Sequence, residues 1–280
     1  MTWDVAVVGA GIAGLTAARV CAEQGLSTVA YDMLAPGGRL ISLGAVSAWP
    51  GGAVQGPEFA GALLDEAMGA GVEIAYGEVT GLTPGRPVSL ETMDGPVAAR
   101  AVVVATGLAP DDAALQDAQD WVGRGLSECA SCDGPLYAGK KVVVLGGDEW
   151  SASEALELAA VAAHVTVVAP RTSWSAAAER AVAASPTVEV RRGATATALE
   201  GASALAAVAL DDGSTVEAAG VFLAEANRPR RALADAAAGD PYVLLAGDVT
   251  GAAGTPTLLA AAADGRRAGL AVIDLLATGH

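Results

Sequence analysis

Six residues near the amino terminus, Gly9-Ala10-Gly11-Ile12-Ala13-Gly14, leave this chain few folds to choose from. They follow an apolar run, Trp3-Asp4-Val5-Ala6-Val7-Val8, that reads as a buried parallel strand bounded by glycine. Residues 15–24 then continue at helical period to Gly25, and a second strand over 27–31 leads into Asp32. Strand, GxGxxG, helix, strand and then an acid about 20 residues on is the dinucleotide fingerprint. Each part has a physical task. Gly11 lets backbone approach a pyrophosphate, the helix start binds it, and Asp32 can accept from ribose hydroxyls. The candidate cofactor-binding residues are therefore Gly9, Ala10, Gly11, Ala13, Gly14 and Asp32. Cys21 lies on the helix and reads as a small core residue.

A second, altered copy of the same unit follows later. Residues 140–145 form a strand entering Gly146-Gly147-Asp148-Glu149-Trp150-Ser151, a helix is expected over 152–162, and 165–169 makes the next strand. Laid on the GxGxxG template from Gly146, the second glycine position holds Asp148 and the third holds Ser151. The second glycine is the one that admits a pyrophosphate, and Asp148 puts bulk and negative charge there. At ~4 Å, one charge against another of the same sign costs about 1 kcal/mol in water and about 4 at an effective dielectric near 20. The second strand ends in Ala169-Pro170-Arg171-Thr172-Ser173-Trp174, with one arginine where NADP's extra phosphate would call for more. The fold is expected here without its nucleotide.

Between and after the two copies the signals are weaker. Pro36-Gly37-Gly38-Arg39-Leu40 and Ala48-Trp49-Pro50-Gly51-Gly52 read either as backbone approaching a flat ligand or as ordinary turns. Residues 58–69 look helical, and 72–76 and 88–92 look like strands of a smaller meander. A buried strand over 101–105 ends in Thr106-Gly107. After Ala109-Pro110-Asp111-Asp112 the composition turns polar, as at a domain crossover. Strands are expected at 187–191 and 206–210, a turn at Asp211-Asp212-Gly213, and a closing strand over 216–223. Arg228, Arg230 and Arg231 form a small basic cluster that reads equally well as solvated surface.

Residues 242–246 form a short buried strand ending in Gly247-Asp248, where parallel sheets place ligands. A helix-rich segment over 256–276 finds no partner strand in a middle domain that has already closed, so it is expected to pack on the first. The fold class is α/β: two Rossmann-like nucleotide-binding domains of the three-layer ββα kind, the second inserted in the first. The expected boundaries are 1–109 with 240–280 for the first, and 110–239 for the inserted module.

That module carries the chemistry. In Cys129-Ala130-Ser131-Cys132-Asp133-Gly134 two thiols three apart can meet on one turn, and a thiol in such a pair can have a lowered pKa. Asp133 offers a nearby proton donor or acceptor. Three cysteines in all imply no disulfide framework. Two cysteines with His164 and His280 give no second ligand pair at zinc spacing, so no metal is expected. The Met-Thr-Trp-Asp start shows no signal peptide and no run is long enough to span a membrane, so a reducing cytoplasm is the expected setting. A net charge of −16 with only 16 Lys and Arg disfavours nucleic acid and anionic membranes as partners.

Taken in order, the motifs resemble the low-molecular-weight thioredoxin reductase family over nearly the whole chain. They are GAGIAG at Gly9, GGRL at Gly37, WPG at Trp49, ATG at Ala105, CASCDG at Cys129, GGDEWSASEA at Gly146 and AGD at Ala246. The resemblance implies FAD on the first domain, a homodimer, and a cysteine pair that exchanges electrons with the flavin. Carried over by position, Cys132 would face the flavin, Cys129 would attack the substrate and Asp133 would be the acid–base group. Gly247 and Asp248 would touch the ribityl and pyrophosphate region. Gly38, Arg39, Leu40, Val79, Thr106, Gly107, Thr257 and Leu258 would complete the cofactor contacts. The departures are Asp148 and Trp150 in the second glycine motif, Ala169-Pro170-Arg171 in place of an HRR-type cluster, and Pro256-Thr257 in place of the arginine–glutamine pair that opens the last helix. They resemble the offshoots that work without NADPH, such as the gliotoxin- and holomycin-type dithiol oxidases, and others fed by ferredoxin or an unknown donor.

The expected function is oxidation of a small-molecule or peptide dithiol to a disulfide through the cysteine pair, with FAD as cofactor and oxygen as acceptor. The alternatives are a reductase of thioredoxin or another disulfide, fed by NADPH, ferredoxin or another donor, and a non-catalytic FAD-binding redox sensor. With no second nucleotide to reach the flavin, a fixed geometry between cysteine pair and flavin is expected.

Overall fold

The computed structural model describes residues 2–33, 35–42, 45–46, 54–110, 115, 118–224, 227–251 and 257–278. The Trp49-Pro50-Gly51 motif, Asp111, Asp112, Pro256 and His280 lie outside the described residues. The chain divides into two compact units, Met1–Ala109 with Pro229–His280, and Pro110–Arg228. The return to the first unit thus comes at Pro229, ahead of the expected 240. The cause is packing: Ala234 and Ala237 join Val79, Leu82, Val88 and Leu90 in one buried cluster of the first unit, with the half-buried Leu233 packed against it.

The first unit is built on a seven-stranded sheet. Its parallel part runs Glu73–Tyr76, Thr28–Asp32, Thr2–Val8, Gly95–Val104, with Val243–Leu245 alongside the last. Val88–Thr92 and Val79–Thr83 extend the sheet antiparallel from the far side of Gly95–Val104. Residues 73–76 therefore belong to the parallel sheet and not to the meander expected for them, because Val29 to Asp32 pair with Glu73 to Tyr76 in register. The first helix, Ile12–Ala22, starts and stops earlier than the periodicity predicts, with Gly25 N donating to Ala22 O past its end. The last helix, Leu258–Thr278, lies on it: a Cβ at Gly265 would stand 2.1 Å from Ala13 O, so only glycine allows that approach. Cys21 is fully buried between the two, its thiol pushed up to about 12 by burial.

The second unit has a five-stranded parallel sheet in the order Leu126–Ser127, Gly220–Leu223, Lys141–Leu145, His164–Ala169, Val188–Arg192. A three-stranded antiparallel sheet, Ala196–Gly201, Leu205–Leu210 and Thr215–Glu217, turns at Gly213, whose φ of 81° suits a glycine. The single strand expected over 216–223 is two strands in two sheets, broken at Ala218 and Ala219. The expected helix over 152–162 is Glu149–Leu158, beginning directly after Asp148. A further helix, Ala176–Ala184, is started by Ser175, whose hydroxyl accepts from Ala178 N.

Candidate functional site

In the first unit the glycine loop is held by its own backbone. Gly9 has φ 99°, and a Cβ there would meet Ala105 O at 2.4 Å; a Cβ at Gly14 would meet Gly9 O at 1.8 Å. Those two glycines are required by internal packing. Gly11 is different. Its backbone is extended at φ −75°, and a Cβ on it would meet nothing closer than Gly38 Cα at 3.9 Å. The chain itself tolerates a side chain at Gly11, so a glycine there leaves room above the helix start for something else. No side chain caps that helix start, which suits an anion that takes the first backbone N–H groups.

Around this loop the other expected residues gather. Asp32 Oδ2 accepts from Ala10 N at 3.0 Å, so one carboxylate oxygen fixes the loop. Gly37 N donates to Ala10 O at 2.7 Å, bringing Gly38, Arg39 and Leu40 beside it. Gly247, at φ 76°, lies against Ala13, where an added Cβ would stand 2.8 Å from Ala13 Cβ. Burial pushes the half-buried Asp248 carboxyl above its ordinary value; Arg39 draws it down and Asp264 adds to the rise. Thr106 Oγ1 donates to Arg230 O and Gly107 O accepts from Arg230 N, so the returning chain clasps this turn. Thr257 caps the last helix, its hydroxyl accepting from Ala260 N, and Leu258 packs on the main core. Val79 is 7% exposed and lies in the core beneath the meander.

In the second unit Cys129 and Cys132 form a disulfide. Cys129 starts the short helix Ala130–Asp133, its sulfur accepting from Cys132 N at 3.1 Å. Cys132 is exposed and Cys129 half-buried. Asp133 accepts from the hydroxyl of buried Ser127 at 2.7 Å, and the same hydroxyl accepts from Cys129 N. The Asp133 charge, after burial, helps push up the Tyr137 phenol. Ser127 sits in a strand two residues before Cys129, and the only sign of it in the sequence is a polar residue beside the motif.

The second glycine motif is filled by the chain's own groups. Asp148 occupies the position of Gly11 with the same extended backbone, φ −89°, and its Oδ1 accepts from Ser151 N at 3.0 Å. Ser151, fully buried, takes the third glycine's place; its hydroxyl donates to Asp148 O and accepts from Trp174 Nε1 at 3.1 Å. Glu149 spans to the next βα turn, both its oxygens accepting at 2.7 Å from Ser175 N and Oγ. Arg192 stacks on Trp174 and pairs with Glu179. Glu149, Trp174 and Ser175 carry no signal as a cluster in the sequence, because their pairing needs the two turns brought together.

Comparison with known proteins places this arrangement. The pyridine nucleotide-disulphide oxidoreductase family profile matches residues 3–242. The thioredoxin reductase of Treponema pallidum is 34% identical over 223 residues, which span 77% of this chain and 72% of that protein. The chain belongs to this family, among its thioredoxin reductase-like members. The thioredoxin reductase of Bacillus subtilis is 33% identical over 168 residues, 59% of this chain, and the match spans about half (53%) of that relative's length. The crystal structure of Lactococcus lactis thioredoxin reductase superposes with a TM-score of 0.88 at 22% identity, covering 99% of both chains, a likeness of fold. The fold is thus α/β with Rossmann-like parallel-sheet domains, as the sequence predicts. Thioredoxin reductases are FAD-dependent, and the uncapped helix start with its open Gly11 fits a cofactor of that kind. Among the described residues, no group of three or more His, Cys, Asp or Glu is placed to hold a metal, and no helix is long and apolar enough to cross a membrane.

Proposed function

We propose that this family member is an FAD-dependent dithiol–disulfide oxidoreductase that takes electrons from a dithiol and not from NADPH. The observation that carries the proposal is the Asp148 carboxylate, which caps the helix start where a pyridine nucleotide's pyrophosphate would bind. An anion brought there must displace that cap and face its charge.

The residues then divide the work. Cys129 and Cys132 hold the disulfide that a substrate thiolate opens through a mixed disulfide. Asp133, oriented by Ser127, holds the proton that the exchange moves. Gly9, Ala10, Gly11, Ala13, Gly14 and Asp32 would seat the FAD pyrophosphate and ribose, with Gly38, Arg39, Leu40, Thr106, Gly107, Gly247, Asp248, Thr257 and Leu258 around the rest of the cofactor. Bound FAD supplies a two-electron acceptor between the cysteine pair and oxygen. The substrate is a small-molecule or peptide dithiol, the assembly a homodimer and the setting cytoplasmic.

Anaerobic stopped-flow on the purified holoprotein tests this. A small dithiol should bleach the flavin, and air should restore it. Bleaching by NADPH within a turnover time would refute the proposal. The opposite direction, reduction of a thioredoxin-like protein, is the second reading; the relatives named thioredoxin reductase favour it.

A further inference from the structure

The helix Glu149–Leu158 buries Ser151, Ala152, Glu154, Ala155 and Leu158, so Glu154 sits on the stripe that faces the core. It is 1% exposed, the most enclosed carboxylate among the described residues. Its neighbours in sequence on that stripe, Ala155 and Leu158, pack with Ala130, Val142, Val144 and Phe222 in an apolar cluster. Burying a carboxylate costs several kcal/mol per ion unless specific partners offset it. Glu154 Oε2 accepts from Ala130 N at 2.7 Å, a length usual for charge-assisted bonds. Ala130 follows Cys129 directly, so this carboxylate grips the peptide that joins the two cysteines' turn to its first thiol. On the other side Ser127 holds Cys129 N, and the sulfur of Cys129 receives Cys132 N. The turn is therefore fixed from within by two buried polar side chains.

We infer that Glu154 is a positioning residue that sets the reduction potential of the Cys129–Cys132 pair. This rests on the reading that the pair is redox-active. Reduction of the disulfide takes up two electrons and two protons and gives two thiols, one or both of which ionise as they react. With Glu154 ionised, as the proposal requires, its negative charge behind the turn opposes thiolate formation and favours the disulfide. The pair then holds electrons weakly and releases them towards the flavin, the direction that dithiol oxidation requires.

The test uses the holoprotein and the variants Glu154→Gln and Glu154→Asp. Each is equilibrated anaerobically with dithiothreitol buffers of defined ratio, and the free thiols are trapped by alkylation and counted. E154Q, which keeps the shape and removes the charge, should shift the equilibrium towards the dithiol about tenfold, ~30 mV. E154D, which keeps the charge, should stay within about twofold of wild type, under a third of that potential shift. An E154Q pair with wild-type potential in a folded protein would overturn the inference and leave only a structural role. Should E154Q fail to fold, infrared difference spectra of the wild-type protein with isotope-labelled glutamate decide. A glutamate carboxylate band that responds to reduction supports the inference, and its absence overturns it. A wild-type pair that small dithiols cannot reduce at any ratio would instead defeat the underlying reading of redox activity.

Discussion

Replacing Asp148 by asparagine separates its two effects. Asparagine and aspartate are about equally good helix caps, so the bond to Ser151 N survives while the charge goes. The two backbones, φ −75° at Gly11 and −89° at Asp148, are alike, so a pyrophosphate seated at the second helix start as the first would seat one meets the Asp148 carboxylate at contact distance. One like charge at ~4 Å costs between about 1 kcal/mol in water and about 4 at an effective dielectric near 20. At 1.4 kcal/mol for each factor of ten, D148N should bind NADPH between about fivefold and several hundredfold more tightly than wild type. D148A makes the control: it removes the same charge and should gain a similar factor, while losing about 1 kcal/mol of stability with the cap. Isothermal titration of the holoproteins with NADPH reads the affinities, and urea unfolding reads the stabilities. Glu149 adds a second charge one residue on, so D148N/E149Q should bind more tightly still. If the double variant binds NADPH no better than a measurable wild type, charge at this helix start is not what excludes the nucleotide.

Three further outcomes follow from the packing and charge placements. Cys21, with its thiol pushed up to about 12 by burial, should be inert in the folded protein: alkylation of the reduced native protein should count two thiols, and the third only after denaturation. Burial pushes the Asp4 carboxyl up, but bonds from Arg100 and Ser27 outweigh it and hold it below its ordinary 3.8. A depressed carboxyl contributes stability that is present above 3.8 and lost as pH falls through the folded value; D4N should therefore cost, after solvent screening of this exposed pair, about 0.5 kcal/mol near neutrality and converge on wild type in acid titrations of stability. Gly265→Ala would bring a methyl within 2.1 Å of Ala13 O, forcing the last helix off the first, and should lower the unfolding free energy by about 1–3 kcal/mol.

Much of the fold is legible in the sequence because the periodic signals are local. The two βαβ units and the glycine loops follow from apolar period and turn residues that lie close together in the chain, and the return of the last helix follows from the middle domain having already closed. Boundaries are less legible. The helix after Gly146 begins at Glu149 because Asp148 caps it, a capping signal that the glycine template hides by treating the same position as a lost glycine. The helix Ala176–Ala184 also has a readable cap in Ser175, masked by alanines that give little amphipathic contrast. Long-range placement is what the sequence does not express. Glu154 looks like any acid in a helix until packing turns it inward beside Ala130. Glu149 and Ser175 are 26 residues apart and meet only across two βα turns.

The same turn is used twice in this chain: one copy leaves room above its helix start, and the other is occupied by its own groups. At Gly11 the backbone would accept a side chain without strain and with contact only at 3.9 Å, yet none is present and no side chain caps the helix. At Asp148 an equivalent backbone carries a carboxylate that takes the Ser151 N–H, while Ser151 in turn ties Trp174 and Glu149 ties Ser175. These contacts bridge the two turns that a bound nucleotide would itself bridge. One donor of the helix start, Ser151 N, is thus satisfied without a ligand, and any nucleotide must replace that charge-assisted bond as well as meet repulsion. A missing glycine alone would only weaken such a site. A cap and two cross-links in its place hold the two turns together, and the proposed thiol donor rests on this arrangement.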